Sequence, residues 1–104
     1  MIRMISMMQL ETYLNKKHDM ALLDVRSAEE FADGALKGAV SIPLEELERR
    51  FDELNPDRPV IVYCERGNKS LMAARFLDEQ GFWAMACAGG LAAYRGRFYV
   101  DRHL

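Results

Sequence analysis

The segment Val60-Ile61-Val62-Tyr63-Cys64-Glu65-Arg66-Gly67-Asn68-Lys69-Ser70-Leu71-Met72-Ala73-Ala74 joins an apolar, β-branched run to a helical pattern, with a cysteine between them. The four residues before the cysteine are typical of a strand buried on both faces, as in the middle of a parallel sheet. Open α/β sheets bind their ligands at the carboxyl ends of such strands. We therefore expect Cys64 to lie at the edge of the sheet where a binding site would form.

The loop after Cys64 has the composition of an anion-binding turn. Gly67 can take a positive φ, which lets successive backbone N–H groups turn inward around the sulfur. The next helix is predicted to begin near Ser70, and the positive end of its dipole then faces the same point. Because Arg66 and Lys69 add full positive charges, the pattern predicts that Cys64 is a nucleophile.

Length and composition favour one α/β domain in a reducing compartment. A chain of 104 residues that is 50% hydrophobic can bury a core without disulfides, so we expect a single domain over residues 1–104. Its two cysteines form no CxxC motif and no histidines cluster beside them, so neither a disulfide framework nor a metal site is expected. The cytoplasm is the expected location.

Charge and hydropathy exclude two classes of partner. The formal net charge is −2 and the pI is about 5.7, whereas nucleic acid and anionic membranes require clustered positive charge. No apolar run approaches the ~18 residues of a membrane span. We therefore expect neither a nucleic-acid partner nor a membrane partner, and the chain is expected to be soluble.

Apolar runs alternate with helical patterns along the chain, which is typical of an α/β domain with a mainly parallel, five-stranded sheet and helices on both faces. Two capping boxes, Ser6-x-x-Gln9 and Ser27-x-x-Glu30, predict helix starts, and Pro43 is expected to open a third helix. The predicted strands occupy residues 2–5, 21–25, 38–42, 60–63 and 82–88.

Polar residues at the end of the second predicted strand are interpreted as structural support. Asp24 is expected to satisfy nearby backbone N–H groups, and Arg26 is expected to pair with Glu29 or Glu30. Trp83 is expected to be a buried or half-buried core residue. The helix after Cys64 is expected to turn one face to the core, with Met72, Ala73, Phe76 and Leu77. The tail from Tyr94 is predicted either to pack as a short helix and extension or to be disordered at its end.

From Ile5 to Tyr94 the sequence resembles the rhodanese-like sulfurtransferase domain family. Four blocks carry the resemblance in order: Leu22-Leu23-Asp24-Val25-Arg26 with Glu29-Glu30-Phe31; Gly34 with Gly38-Ala39 and Ile42-Pro43; Val62-Tyr63-Cys64 through Gly67 to Ser70; and Gly89-Gly90. The resemblance implies that Cys64 accepts a sulfane sulfur as a persulfide and passes it to a nucleophile. It also implies that the loop holding this persulfide consists of Glu65, Arg66, Gly67, Asn68, Lys69 and Ser70.

Several positions depart from the family pattern, among them Met85 and Cys87, which replace the aliphatic residues usual before the paired glycines. Many relatives have histidine where this chain has Ala35, and most have arginine where it has Lys69. Lysine keeps the charge but lacks the planar fork that holds an oxyanion at two points. Glu65 places an acid beside the nucleophile, which would repel an anionic donor such as thiosulfate unless the side chain points to solvent.

Three functions fit these observations. The first is a sulfurtransferase that moves sulfur from thiosulfate or a persulfide donor to a thiol or cyanide through Cys64, without a cofactor and with a sulfur-relay protein as a further partner. The second is a non-enzymatic persulfide-carrying or partner-binding module, since a fold does not fix a function. Phosphatases and arsenate reductases of similar fold are the third, but their cysteine loop is one residue longer and ends in arginine.

Cys87 has two interpretations. It falls inside an apolar strand, where burial raises the pKa of a thiol, so we expect it to be inert. The alternative is that Cys87 resolves the persulfide as an intramolecular disulfide, because neighbouring strands of a parallel sheet are only ~5 Å apart.

Overall fold

A computed structural model of the protein describes residues 2–102. Strands and helices alternate along most of the chain, as the sequence pattern predicts. In order they are β1 (Arg3–Ser6), α1 (Met7–Asn15), β2 (Ala21–Asp24), α2 (Ala28–Asp33), β3 (Gly34–Leu36), β4 (Val40–Ser41), α3 (Leu47–Arg50), β5 (Val60–Tyr63), α4 (Asn68–Glu79), β6 (Ala84–Ala88) and β7 (Tyr99–Asp101), with 3₁₀ turns at Leu44–Glu46, Phe51–Glu53 and Leu91–Ala93.

Five strands form one wholly parallel sheet in the order β1-β6-β5-β2-β4. β5 is the central strand, and all four of its residues are buried. It pairs with β2 on one side and with β6 on the other. The predicted fold class, an α/β domain with a five-stranded parallel sheet, is confirmed. Because β5 is the middle strand, its carboxyl end lies at the middle of the edge where the parallel strands end.

The alternation of side chains along β5 divides the core into two layers. Val60 and Val62 face the layer that contains residues of α3 and α4, while Ile61 and Tyr63 face the layer that contains residues of α1. The first layer also includes Leu23, Leu47, Ala73, Ala74, Leu77 and Ala86, and the second includes Ile5, Leu10, Leu22, Leu36, Met85 and Cys87. The prediction of helices on both faces is therefore confirmed.

The helix boundaries follow local capping chemistry. Both predicted capping boxes are present: Ser6 with Gln9 at the start of α1, and Ser27 with Glu30 at the start of α2. α4 begins at Asn68, so the prediction of a start near Ser70 is two residues late. The first turn of α4 therefore lies inside the loop that follows Cys64.

The segment between Ala39 and Leu54 is less regular than predicted. Only Val40–Ser41 pair with β2, instead of the whole predicted strand 38–42. The helix expected after Pro43 consists of two 3₁₀ turns flanking the short α3. The helix is interrupted because Arg50 has a φ of −122° and a ψ of 2°, which departs from helical geometry.

A second, two-stranded sheet was not predicted. β3 follows α2 directly and pairs antiparallel with β7, so that Ala35 lies opposite Val100 and Leu36 opposite Tyr99. The tail from Tyr94 thus packs back on the domain as far as Arg102; the prediction about its end at residues 103 and 104 lies outside the described residues.

Two predicted core positions are wrong. The indole of Trp83 is 65% exposed, because its neighbours Phe82 and Ala84 both face the core and Trp83 points the opposite way. Met72 is 59% exposed, since Ala73, Ala74 and Leu77 occupy the buried face of α4.

Between Ile2 and Arg102, no helix is both long enough and apolar enough to cross a membrane. The assignment of residues 1–104 to one domain stays a prediction.

Candidate active site

Cys64 lies directly after β5 and is 1% exposed. Its Sγ accepts hydrogen bonds from the backbone N–H groups of Gly67 at 3.0 Å and of Ser70 at 3.3 Å. Gly67 precedes α4 and Ser70 belongs to its first turn, so the positive end of that helix dipole is close to the sulfur. The loop therefore presents backbone donors to whatever anion is formed on Sγ.

Gly67 makes this geometry possible. It has a φ of 102°, in the left-handed region that residues with a side chain rarely adopt. A Cβ added there would lie 3.1 Å from the backbone nitrogen of Gly89, tighter than an ordinary contact. The positive φ anticipated for Gly67 is therefore confirmed, and packing against the end of β6 further restricts the position.

Ser70 ties the start of α4 to the end of β6. Its Oγ lies 2.9 Å from the carbonyl oxygen of Gly67 and 3.1 Å from that of Cys87, and both can accept its single proton. Ser70 is fully buried, so the hydrogen bond that its hydroxyl donates is shielded from water. The hydroxyl of Ser70 thus fixes the loop, while its N–H is turned to the sulfur.

The loop after β6 clamps the Cys64 loop from the other side. Leu91 N–H donates to the carbonyl of Cys64, and Ala92 N–H donates to that of Glu65, both at 2.9 Å. Gly90 packs so closely against the backbone of Glu65 that a Cβ at position 90 would lie 2.3 Å from the Glu65 carbonyl oxygen. The pair Gly89-Gly90 is the sequence signal for this clamp, but residue patterns alone did not identify Leu91 and Ala92.

Asp24 and Arg26 form a buried ion pair beneath the loop. Arg26 donates to the Asp24 carboxylate from its backbone N–H at 2.9 Å, from Nε at 3.1 Å and from Nη2 at 2.8 Å. Nη2 also donates to the carbonyl of Gly34 at 2.6 Å. Burial alone would lower the pKa of Arg26, but the bond to Asp24 and its charge outweigh it and raise the pKa.

The predicted pairing of Arg26 with Glu29 or Glu30 is wrong. Arg26 pairs with Asp24 and, through Nη1, with Glu65 at 3.5 Å. Glu30 instead receives the bonds of the Ser27 cap, which lower its pKa. The interpretation of Asp24 as a group that satisfies nearby backbone N–H groups is confirmed by its bond from Arg26 N–H.

Tyr63 is a supporting residue that the sequence did not reveal. Its hydroxyl accepts a hydrogen bond from the backbone N–H of Leu36 at 3.1 Å, so it links β5 to β3 inside the core. Burial and the nearby charge of Asp24 raise its pKa far above the ordinary range, which keeps the phenol protonated.

The acid beside the nucleophile is partly neutralised by its surroundings. The side chain of Glu65 is 42% exposed, and Oε1 contacts Arg26. Its backbone is fixed by the bond from Ala92. Repulsion of an anionic donor by Glu65 is therefore weakened both by solvent and by a buried arginine.

A small pocket of about 190 Å³ opens at Cys64. Besides the cysteine it is lined by Arg26, Glu30, Glu65, Arg66, Asn68 and Lys69. The structure thus brings the predicted cations Arg66 and Lys69 to one pocket, whereas Gly67 and Ser70 act through their backbone. Glu30, a capping residue, is a lining residue that sequence reasoning placed outside the site.

A larger cavity of about 650 Å³ adjoins this pocket. Arg26, Glu30 and Glu65 line both spaces and so form the wall between them. The rest of the larger cavity is contributed by Asp33, by Tyr99 of β7, and by the segment after β6, which supplies Leu91, Ala92, Tyr94, Arg95 and Gly96.

Cys87 lies on β6 in the layer opposite that of Cys64. It is fully buried, and burial, with a smaller contribution from the nearby Cys64, raises the pKa of its thiol to about 12. Both cysteines are free thiols. These features favour the inert interpretation of Cys87, which stays a prediction.

A family model described as the rhodanese-like domain matches residues 6–97. The chain belongs to the rhodanese-like domain family. The resemblance read from the four sequence blocks is therefore confirmed, and the match includes the Cys64 loop, the buried pair beneath it and the glycine clamp.

Curated members of the family with sequences similar to this chain include sulfurtransferases. YtwF of Bacillus subtilis (strain 168), whose name describes it provisionally as a sulfurtransferase, is 32% identical over 95 residues, covering 91% of this chain and 92% of its own length. The thiosulfate sulfurtransferase PspE of Escherichia coli (strain K12) is 38% identical over 71 residues, covering 66% of this chain and 68% of its own. These likenesses support a rhodanese-like sulfurtransferase in general terms.

Solved structures of the family share the fold. The solution structure of the rhodanese-like domain of an Anabaena protein is 27% identical and has a TM-score of 0.87, with 99% of this chain and 82% of that chain covered. The similarity therefore includes both the five-stranded sheet and the elements that pack on its two faces.

Proposed function

We propose that this protein is a sulfurtransferase that carries sulfane sulfur on Cys64. The observation that carries the proposal is the pair of N–H groups, from Gly67 and Ser70, that both donate to the Cys64 Sγ. Such donors stabilise negative charge on the Cys64 sulfur without needing to rearrange. Family membership and the sulfurtransferase relatives support the same reaction class.

In the first half-reaction, the Cys64 thiolate attacks the outer sulfur of thiosulfate. A bond forms between the two sulfurs, the sulfur–sulfur bond of thiosulfate breaks, and sulfite leaves with the electron pair. Arg66 and Lys69 line the pocket and favour an anionic donor, and Asn68 adds a polar wall. Thiosulfate is proposed because the pocket is small and includes Arg66 and Lys69, and because PspE bears that substrate in its name.

In the second half-reaction, a thiolate or cyanide attacks the outer sulfur of the persulfide. The new bond forms on that sulfur, and the Cys64 thiolate leaves with the electrons of the broken bond. No cofactor enters either step. A sulfur-relay protein as donor or acceptor is part of the proposal, as is a cytoplasmic location, because Cys64 must remain reduced to accept sulfur.

Phosphoryl transfer is the weaker candidate for this cysteine. Four residues separate Cys64 from Lys69, one fewer than separate the cysteine from the arginine in the phosphatase loop, and the residue after Lys69 is a serine, Ser70. The N–H groups of the Cys64 loop converge on the sulfur itself. We therefore expect no turnover of an aryl phosphate; hydrolysis that disappears in Cys64→Ser would contradict this.

Steady-state turnover of thiosulfate and cyanide, compared with stoichiometric loading, tests the proposal. Thiocyanate should accumulate to many equivalents per protein molecule, and Cys64→Ser should abolish it. A single equivalent of transferred sulfur would instead indicate a persulfide-carrying module, and no loading at all would reject sulfur chemistry at this site.

A further inference from the structure

The wall between the two cavities allows the sulfur acceptor to be characterised, on the assumption that the proposed function is correct. Arg26, Glu30 and Glu65 line both the 190 Å³ pocket at Cys64 and the 650 Å³ cavity beside it. The larger cavity therefore adjoins the pocket that contains the reacting sulfur. Glu65 also follows the nucleophile directly in sequence.

The two spaces differ in size, and the difference assigns them separate roles. The smaller pocket suits a compact anion, whereas typical small-molecule sites have volumes of ~300–1,000 Å³, the range of the larger cavity. A donor such as thiosulfate has no body that needs the larger space. An organic acceptor does, and its thiol must still approach the sulfur on Cys64.

The charges of the two spaces differ as well. Arg66 and Lys69 line only the smaller pocket. In the larger cavity, Arg95 is held by bonds from Nη1 to the neutral carbonyls of Ala92 and Tyr94 and keeps its charge, but it is outnumbered by the carboxylates of Glu30 and Glu65. The charge of Arg26 is balanced by the buried Asp24 at 2.8 Å.

At the wall, Arg26 is one cation beside the three carboxylates of Asp24, Glu30 and Glu65, so the wall carries a net negative charge. Glu65 is bound to Arg26 only at 3.5 Å, and Glu30 is held in its ionised form by the Ser27 cap. Two tyrosines, Tyr94 and Tyr99, supply aromatic surface in the same cavity. Carboxylates beside aromatic rings attract a cationic ammonium group and repel a carboxylate or sulfonate.

We propose that the larger cavity receives the sulfur acceptor, and that this acceptor is a small thiol carrying an ammonium group. Its thiolate, formed by losing a proton to water, attacks the outer sulfur of the Cys64 persulfide. The acceptor leaves as a persulfide, and Cys64 returns to a thiolate. Anionic donors and cationic acceptors thus approach the same sulfur from spaces of opposite electrostatic preference.

Three thiols of matched skeleton test the proposal: cysteamine, 2-mercaptoethanol and 2-mercaptoethanesulfonate, which carry a positive, no and a negative charge on the same two-carbon chain. The protein is first loaded with sulfur and freed of donor, and loading is verified by intact mass. Discharge by each thiol is then followed at low ionic strength, with rates divided by the thiolate fraction. Failure to load would reject the proposed function, whereas the acceptor assignment depends only on the ratios that follow.

The decisive variant is Glu65→Gln, which removes the charge and keeps the shape. The ratio of the cysteamine rate to the mercaptoethanesulfonate rate should fall by roughly three- to tenfold, and less in high salt. Glu30→Gln should lower the ratio in the same direction, and it keeps the cap because glutamine serves equally at that position. Glu48→Gln, an exposed site on α3 that lines neither space, should leave it unchanged.

A ratio that is equal in the parent, Glu65→Gln and Glu30→Gln would overturn the proposal. So would a parent protein that discharges faster to the sulfonate than to cysteamine. Because each ratio is taken within one variant, a general loss of activity or stability cancels out.

Discussion

The backbone N–H of Gly67 donates to the Sγ of Cys64 at 3.0 Å, in a loop where Gly67 has a φ of 102°. The left-handed φ of Gly67 sets the direction of the chain after it, so that the N–H of Ser70 also donates to the same sulfur at 3.3 Å. A Cβ at position 67 would also lie 3.1 Å from the backbone nitrogen of Gly89, so the available space favours glycine as well.

Gly67→Ala should impair sulfur loading more than it impairs folding. Forcing alanine into the left-handed region costs about 1–2 kcal/mol, and relaxation of that φ would turn the N–H of Ser70 away from the sulfur anion, which should slow loading about tenfold. Urea unfolding and single-turnover loading measure the two effects. Gly81→Ala is the matched control, because Gly81 has a φ of 92° and open space around a Cβ. Equal loading by the two variants would show that the left-handed turn at Gly67 has no role in loading.

Asp24→Asn should destabilise the protein strongly. Arg26 is buried with Asp24 as its nearest counter-charge at 2.8 Å, and removing one partner of a buried pair typically costs about 3–5 kcal/mol. Urea unfolding measures the loss. The matched control is Glu53→Gln, which breaks an exposed pair with Arg50 and should change stability little. A similar small change for Asp24→Asn would mean that Arg26 finds another counter-charge.

Lys69→Arg should improve the use of thiosulfate several-fold in kcat/KM, and Lys69→Ala should lose at least as much. Arginine can bind an oxyanion at two points, but lysine already supplies the charge, so the gain is nearer ~1 kcal/mol than the full value of a charged hydrogen bond. Both effects should appear in the thiosulfate concentration dependence and shrink with added salt.

The effect of Lys69→Ala on thiosulfate use should not be accompanied by a loss of stability. Lys69 is the second residue of α4, where the helix dipole disfavours a cation, so Lys69→Ala should not destabilise the helix. Lys37→Ala, an exposed lysine outside both cavities, is the control. If Lys69→Ala matched the parent at all thiosulfate concentrations in low salt, donor binding would rest on Arg66 and the backbone.

Cys87→Ala should load and transfer sulfur like the parent, because the buried Cys87 thiol stays protonated at neutral pH. Loss of transfer in a folded Cys87→Ala protein would support the resolving role instead. The same burial makes a pH prediction. It raises the pKa of Cys87 from 9.0 to about 12, so the unfolded chain loses this proton first as pH rises.

The contribution of Cys87 to the free energy of unfolding should therefore be complete below about pH 9 and be lost as the pH approaches about 12. Urea unfolding at several alkaline pH values should show a flatter decline in Cys87→Ala than in the parent. Identical slopes would mean that the Cys87 thiol ionises as easily in the folded protein as in the unfolded chain.

The sequence predicted those parts of the fold that depend on local patterns. β2, β5 and β6 are nearly continuous apolar runs, and the capping boxes of Ser6 and Ser27 specify their helices through contacts three residues away. The pairing of β3 with β7 was missed because both strands have three residues and meet only through the tertiary fold. Trp83 was misplaced because its hydrophobicity was weighed without the direction that Phe82 and Ala84 impose.

The candidate site likewise combines features that a local sequence pattern predicts with features that form only in the tertiary fold. Cys64 and the cations of its loop are visible as a motif. The ion pairs of Arg26 were not, because the partner Glu65 is 39 residues away in sequence and meets Arg26 only in the folded chain. The larger cavity could not be predicted, since Tyr94 and Tyr99 reach it only after the tail folds back along β3.

Intact-mass measurement of sulfur loading tests the central claim most directly. After incubation with thiosulfate, or with a cysteine-derived persulfide donor, the parent protein should gain the mass of one sulfur atom, and addition of cyanide should remove it. Cys87→Ala should behave identically, and Cys64→Ser should gain nothing. A parent protein that never gains sulfur from either donor, or a Cys64→Ser protein that still does, would contradict a persulfide on Cys64.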